Sequence, residues 1–254
     1  MFYFLLMPSL TYHGLMILAA VLPAILLMIK VYRSDRLEKE DPRFLLRLAL
    51  AGVYATLIAL VAERIGGSLV LSVFSNGSRI GSVLLYFGVV GFSEEGAKYF
   101  MLKRRSWHSA EFNCQYDAVV YAAFISLGFA LWENISYVLH YGFSAAVIRA
   151  VTAIPGHACF GVFMGVFYGI ARSYAFLGDQ ERSRFYRVLS VVVPALIHGA
   201  YDYIASIQAA AGDAAFLVFI VILFAVSVCL INQLSKNDRY FRRDRSRFPT
   251  DRMY

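Results

Sequence analysis

The 254-residue chain is 59% hydrophobic and only 16% charged, with a mean hydropathy of +0.60. That balance excludes an ordinary soluble enzyme and a disordered chain, and it points to a polytopic membrane protein. The formal net charge of +7 would suit nucleic acid, but the basic residues adjoin apolar runs, where they act as topology signals. No nucleic-acid partner is expected.

Windows of about 20 apolar residues predict an all-α transmembrane bundle of about seven helices, with six or eight as bounding counts. The spans fall near 10–30, 45–63, 80–102, 117–140, 150–172, 186–208 and 213–233. The first run has no basic residues ahead of it and no small-residue cleavage site behind it, so it reads as a retained helix. The second is short, bracketed by Arg47 and the Glu63-Arg64 pair, and the GGSLVLSVF that follows reads equally as a re-entrant or surface segment.

Lys and Arg gather in segments 30–47, 103–105, 172–187 and 236–252, leaving Arg64, Arg79 and Arg149 on the other side and Lys98 inside a span. The positive-inside rule then puts the N-terminus outside and the C-terminus in the cytoplasm. Residues 1–235 read as one integral-membrane domain, and 236–254 as a basic cytoplasmic tail. Basic loops and tail suit anionic lipid headgroups. Cys114, Cys159 and Cys229 form no C-x-x-C pair, so packing is their expected role.

The first, second and seventh spans carry no acid or base in their apolar centres. The third carries Glu94, Glu95 and Lys98, the fourth Glu133, the fifth His157, the sixth His198 and Asp202. Five full charges unpaired in lipid would cost on the order of 12–18 kcal/mol. At about 1.5 Å per residue these groups fall in one slab between midplane and outer leaflet, so a shared polar cavity is expected. Glu94 and Lys98, Glu133 and Tyr137, and His198 and Asp202 are each i, i+4 pairs on one helical face, and Asn134 adjoins Glu133. The helix is expected to loosen at Pro155-Gly156. Gly128, Gly156, Gly161, Gly165, Gly169 and Gly199 suit close helix contacts.

Carboxylates and histidines with no serine or cysteine nucleophile suggest hydrolysis by activated water. In a metal form, His157, His198 and one or two glutamates hold a divalent ion such as zinc while a spare glutamate is the base. In a metal-free form, a glutamate activates water directly. The chain has no H-E-x-x-H. A proton-coupled transporter or channel would use the same residue types, but no inverted repeat is evident. A non-catalytic scaffold leaves the clustering unexplained.

SEEGAK (Glu94 to Lys98), LGFALWENISY (Glu133 to Tyr137), IPGHACFGVFMG (Gly156-His157) and HGAYD (His198 to Asp202), in that order over residues 85–205, resemble the PrsW-type intramembrane proteases. That family is distantly akin to the type II CAAX prenyl endopeptidases. The resemblance implies a bacterial plasma-membrane peptidase that cleaves a single-span membrane protein, as in site-1 cleavage of an anti-sigma factor. It also implies Glu94, Glu95, Glu133, His157 and His198 as the catalytic set, supported by Lys98, Asn134, Tyr137 and Asp202. A metal, if used, would lie at His157, His198, Glu95 and Glu133. Ser93 stands where many relatives have proline and reads as an N-cap or a hydroxyl donor; Ala118 follows Asp117 where relatives often have glycine. Tyr99 and Tyr137 depart from the prenyl-endopeptidase pattern, making prenylated-peptide cleavage the lesser alternative.

Overall fold

The computed structural model describes residues 2–75 and 78–241, and for residues 2–13 the backbone alone. Most of the basic tail, residues 242–254, lies outside the described residues, and with it the lipid contact expected there. The described residues are helical, without a strand: α1 (Phe2–Ser34), α2 (Pro42–Val73), α3 (Arg79–Val83), a π-helix (Leu84–Gly91), α4 (Phe92–Ser106), α5 (Asp117–Tyr141), α6 (Phe143–Val151), α7 (Ala153–Phe176), α8 (Gln180–Ala205) and α9 (Ala210–Lys236). Among the described residues, six stretches are long and apolar enough to cross a membrane, with α6 and α7 counted as one. The continuous rod of α3, π-helix and α4 is the seventh member of the bundle, and it carries the charges.

Several expectations need correction. GGSLVLSVF is neither re-entrant nor a surface segment, because α2 runs unbroken to Val73. Asp41 starts that helix by accepting from the Arg43 N–H at 2.9 Å, with Pro42 pre-set for the first turn. The second span is therefore not free of acid in its body, since Glu63 now lies well inside a helix. In the fifth span the backbone breaks at Thr152 (φ −118°, ψ −71°), ahead of Pro155-Gly156. Pro155 itself sits in the first turn of α7, where its missing N–H costs no helical bond.

α5 is the hub. From Asp117 to Ala130 every one of its residues is buried, which its alanines and glycine permit. A Cβ on Gly128 would lie 2.0 Å from the Ala49 carbonyl oxygen, and one on Gly52 would lie 2.0 Å from that of Ile125. Helices α2 and α5 therefore cross backbone against backbone. Gly165 seats α7 on α5 in the same way, 2.5 Å from Val119 Cα by that measure. In lipid, where tails are as apolar as leucine, such close approach is what draws helices together. The leucines and isoleucines of α1, α2 and α9 meanwhile stay largely exposed, as a lipid-facing surface requires.

The π-helix matters most for position. Its wider turn ends at Gly91, immediately before Phe92-Ser93-Glu94-Glu95, and α8 presses against it. A Cβ on Gly91 would lie 2.4 Å from the Ala195 carbonyl oxygen, and one on Gly199 would lie 2.7 Å from Phe87 Cα. Irregular turns of this kind recur at functional sites. Because the rod is continuous, Ser93 is inside helix and not an N-cap.

Candidate active site

Glu94, Glu95 and Lys98 project from the first two turns of α4. Lys98 and Glu95 are both fully buried, at 0% exposure. The Lys98 ammonium donates to Glu95 Oε1 at 2.7 Å, to Glu94 Oε2 at 3.1 Å and to His157 Nδ1 at 2.9 Å, and it lies 4.0 Å above the Phe129 ring centroid. One cation thus offsets two adjacent carboxylates. An ammonium can only donate, so His157 accepts at Nδ1 and carries its proton on Nε2, which donates to Glu133 Oε2 at 2.8 Å.

His198, one turn before Asp202 on α8, donates from Nδ1 to Glu95 Oε1 at 3.0 Å, and its Nε2 lies 3.5 Å from Asp202 Oδ2. Phe160 stacks on the imidazole at 4.6 Å between centroids. The rings of His157 and His198 stand edge to face 5.3 Å apart. Ligand atoms of Glu94, Glu95, His157 and His198 all lie within 4.8 Å of one another. Glu94 thus occupies the place that the sequence reading assigned to Glu133 in a metal set. Glu133 stands on the far side of His157.

A cavity of about 570 Å³ opens beside this quartet. Glu94, Glu133, His157, His198, Asp202 and Tyr137 line it, whereas Glu95 and Lys98 sit behind that wall. Asn134 does not reach the cavity. Its amide donates to the Ala20 carbonyl at 2.9 Å and accepts from Arg149 Nε at 3.0 Å, tying α5 to α1 and α6.

Two wall residues were missed by sequence reasoning. Arg149, assigned to an outer loop, sits on α6 with a guanidinium nitrogen 3.0 Å from Glu133 Oε2 and its charge 3.9 Å above the Tyr137 ring. Glu63 lines the cavity from α2. The available signals were the amphipathic stretch 143–151 just before the G-H motif, and the apolar run that continues past Glu63.

Acid, imidazole and guanidinium groups around a cavity inside an apolar bundle suit a membrane-embedded hydrolase centre. The comparisons with known proteins specify it further. A family model described as PrsW family intramembrane metalloprotease matches residues 40–231. The chain is 35% identical over 192 residues to Protease PrsW of Bacillus subtilis, covering 73% of this chain and 80% of the relative. It is 28% identical over 235 residues to Protease PrsW of Clostridioides difficile, covering 91% and 93%. With Protease PrsW of Geobacillus kaustophilus it shares 33% identity over 195 residues, covering 74% and 79%. The chain belongs to the PrsW family of intramembrane proteases, and a transporter reading is not favoured. No solved structure matches it.

The donor set suits the metal that the family description implies. Two carboxylates and two imidazoles are groups that a zinc-like ion takes, and Glu95 Oε2 is buried without a hydrogen-bond partner; for His157 to ligate an ion at Nδ1, the Lys98 ammonium must give up its contact there.

Proposed function

We propose that this chain hydrolyses a peptide bond of a single-span membrane protein whose cleavable segment enters the cavity. The observation that carries this is the meeting of Glu94, Glu95, His157 and His198 from three helices within 4.8 Å, beside a cavity inside an apolar bundle that all but Glu95 line. A divalent ion held by those four residues would supply Lewis-acid polarisation of the scissile carbonyl and a more acidic water.

The remaining chemistry belongs to side chains outside the quartet. Glu133, free of the ligand set and facing the cavity, takes a proton from the attacking water. The water oxygen bonds to the carbonyl carbon, and Arg149, 3.0 Å from Glu133, offers its charge to the oxyanion. As the C–N bond breaks, Glu133 returns the proton to the leaving amine, so a carboxyl and an amine result. Lys98 keeps Glu94 and Glu95 side by side, and Asp202 orients His198. The basic segments at one end of the bundle support a cytoplasmic C-terminus, an outside N-terminus and contact with anionic headgroups.

The test uses purified protein in detergent with a single-span membrane substrate, metal analysis run alongside cleavage. Glu94→Gln, Glu95→Gln, His157→Ala and His198→Ala should lose both cleavage and bound metal, while Glu133→Gln loses cleavage and keeps metal. Cleavage by all variants at the wild-type rate would sink the proposal. Full activity after chelation, with no metal bound, would leave water activation to the glutamates alone.

A further inference from the structure

A second group of acids lies beyond the N-terminal end of α2, whereas the cavity lies along that helix's middle, at Thr56 to Glu63. Asp35 and Glu40 belong to the α1–α2 connection and Asp117 is the first residue of α5. All three are buried, and one carboxylate oxygen from each lies within 4.8 Å of the others. Asp238, from the segment after α9, and Cys114 stand within the same distance of Asp117. The backbone brings these parts together: Tyr116 N–H donates to Asp238 Oδ1 at 2.9 Å and Phe241 N–H to the Asn113 carbonyl at 2.8 Å. Asp117 Oδ2 is held by the N–H groups of Asn113 and Cys114 at 3.0 and 2.6 Å.

The counter-charge that reaches Asp35, among the described residues, is that of Lys39. Among the described residues, neither carboxylate oxygen of Asp35 has a hydrogen-bond partner, nor do Glu40 Oε2 and Asp238 Oδ2. Yet Asp35 is only 3% and Glu40 only 4% exposed. A buried carboxylate without a partner is among the costliest groups a fold can hold. The Lys39 ammonium commits its donors to the main-chain carbonyls of Tyr32, Arg33 and Asp35 at the end of α1, so it eases the Asp35 carboxylate through charge alone. Burial, reinforced by the charges of Glu111 and Asp35, pushes the Glu40 carboxyl up to about 7. Burial raises those of Asp35 and Asp238 as well.

We propose that Asp35, Glu40 and Asp117, completed by Asp238, bind a hard divalent cation, Mg²⁺ or Ca²⁺, that pins the α1–α2 connection and the segment after α9 to the start of α5. The donors are all oxygen, which selects those ions over zinc. Cys114 does not change that choice, because its thiol donates to Asn113 Oδ1 at 2.9 Å and burial holds its pKa well above the ordinary thiol value. The site shares no residue with the Glu94–Glu95–His157–His198 quartet, so the two respond to separate substitutions.

The experiment uses the full chain in detergent micelles, stripped with chelator and then given CaCl2 or MgCl2. Binding raises the thermal midpoint of the wild type by several degrees, and comparing the two salts shows which ion fits better. Tb³⁺, a luminescent stand-in for Ca²⁺, should be sensitised through Tyr121, whose phenol faces Glu40, and be displaced by the preferred ion. The near-isosteric Asp35→Asn/Glu40→Gln pair removes the repulsion, so it should fold without the ion and lose both signals. Glu95→Gln and His198→Ala should keep them, which separates this site from the active centre. The proposal is overturned if the wild type shows neither a thermal shift nor Tb³⁺ emission, or if the Asp35→Asn/Glu40→Gln protein responds like wild type. A proton shared by Glu40 and Asp117 would then be the neutralising device.

Discussion

His157 Nε2 lies 2.8 Å from Glu133 Oε2, while its Nδ1 receives the Lys98 ammonium at 2.9 Å. The imidazole therefore joins the buried cation to the one carboxylate of this set that faces the cavity from α5. Its tautomer is fixed from both sides.

Glu133 is expected to be the most sensitive position in kcat with the least effect on fold. Glu133→Gln keeps a hydrogen-bond acceptor for His157 but cannot take a proton, and turnover should fall by about 10²–10⁴-fold. Glu133→Asp should fall between this variant and wild type, because the carboxylate retreats from the cavity. Single-turnover cleavage with circular dichroism as a folding control measures both. Equal rates for Glu133→Gln and wild type would remove Glu133 from the proton path.

Lys98→Met should be felt first as instability. It leaves Glu94 and Glu95 adjacent and buried with no ammonium between them, a loss of about 3–5 kcal/mol by analogy with other broken buried ion pairs. Adding Glu94→Gln should restore part of it, since one carboxylate fewer needs neutralising. Unfolding in mixed micelles, compared across the double-mutant cycle, gives the coupling directly.

The α2–α5 crossing should not tolerate a single methyl group. Gly128→Ala would put Cβ 2.0 Å from a carbonyl oxygen of the facing backbone, which cannot rotate aside as a side chain would. A loss beyond the ~1–3 kcal/mol typical of overpacking is expected. Gly96→Ala is the control, because a Cβ there meets nothing within 4 Å. Thermal midpoints of the two variants in the same detergent decide the matter.

In chelator, stability should depend on pH through Glu40, which faces Asp35, Asp117, Glu111 and the Tyr121 phenol. Its carboxyl titrates near 4.5 when unfolded and near 7 when folded, so between those values the folded chain holds a proton that the unfolded chain has released. Stability therefore falls as pH rises from about 4.5 to about 7, and the part due to this group is fully lost above that. Glu40→Gln should flatten that slope. Saturating Mg²⁺ or Ca²⁺ should reverse it, because the ion binds the ionised group. Thermal midpoints across that pH range provide the measurement.

Much of this site could be read from the sequence because charge in a membrane span is expensive. Glu94, Glu95, Lys98, Glu133, His157, His198 and Asp202 stood out against hydrocarbon, and their i, i+4 spacings carried over into the structure. Glu63 and Arg149 escaped because hydropathy windows put them at span edges, where charge costs little. Their role depends on α2 running on to Val73 and on α6 folding back over Glu133, both matters of tertiary packing. Asn134 shows the converse: its neighbour in sequence faces the cavity, but the helical turn of about 100° per residue sends it toward α1.

The π-helix Leu84–Gly91 also left no mark in composition, and it sets the phase of everything after it. Wound as ordinary α-helix with every residue kept, this stretch would turn α4 by about 100° relative to α3, the angle of one residue. Glu94 and Glu95 would then leave His198 behind while every apolar residue remained in the chain. Such a change of winding would be silent to a hydropathy plot and fatal to the active centre.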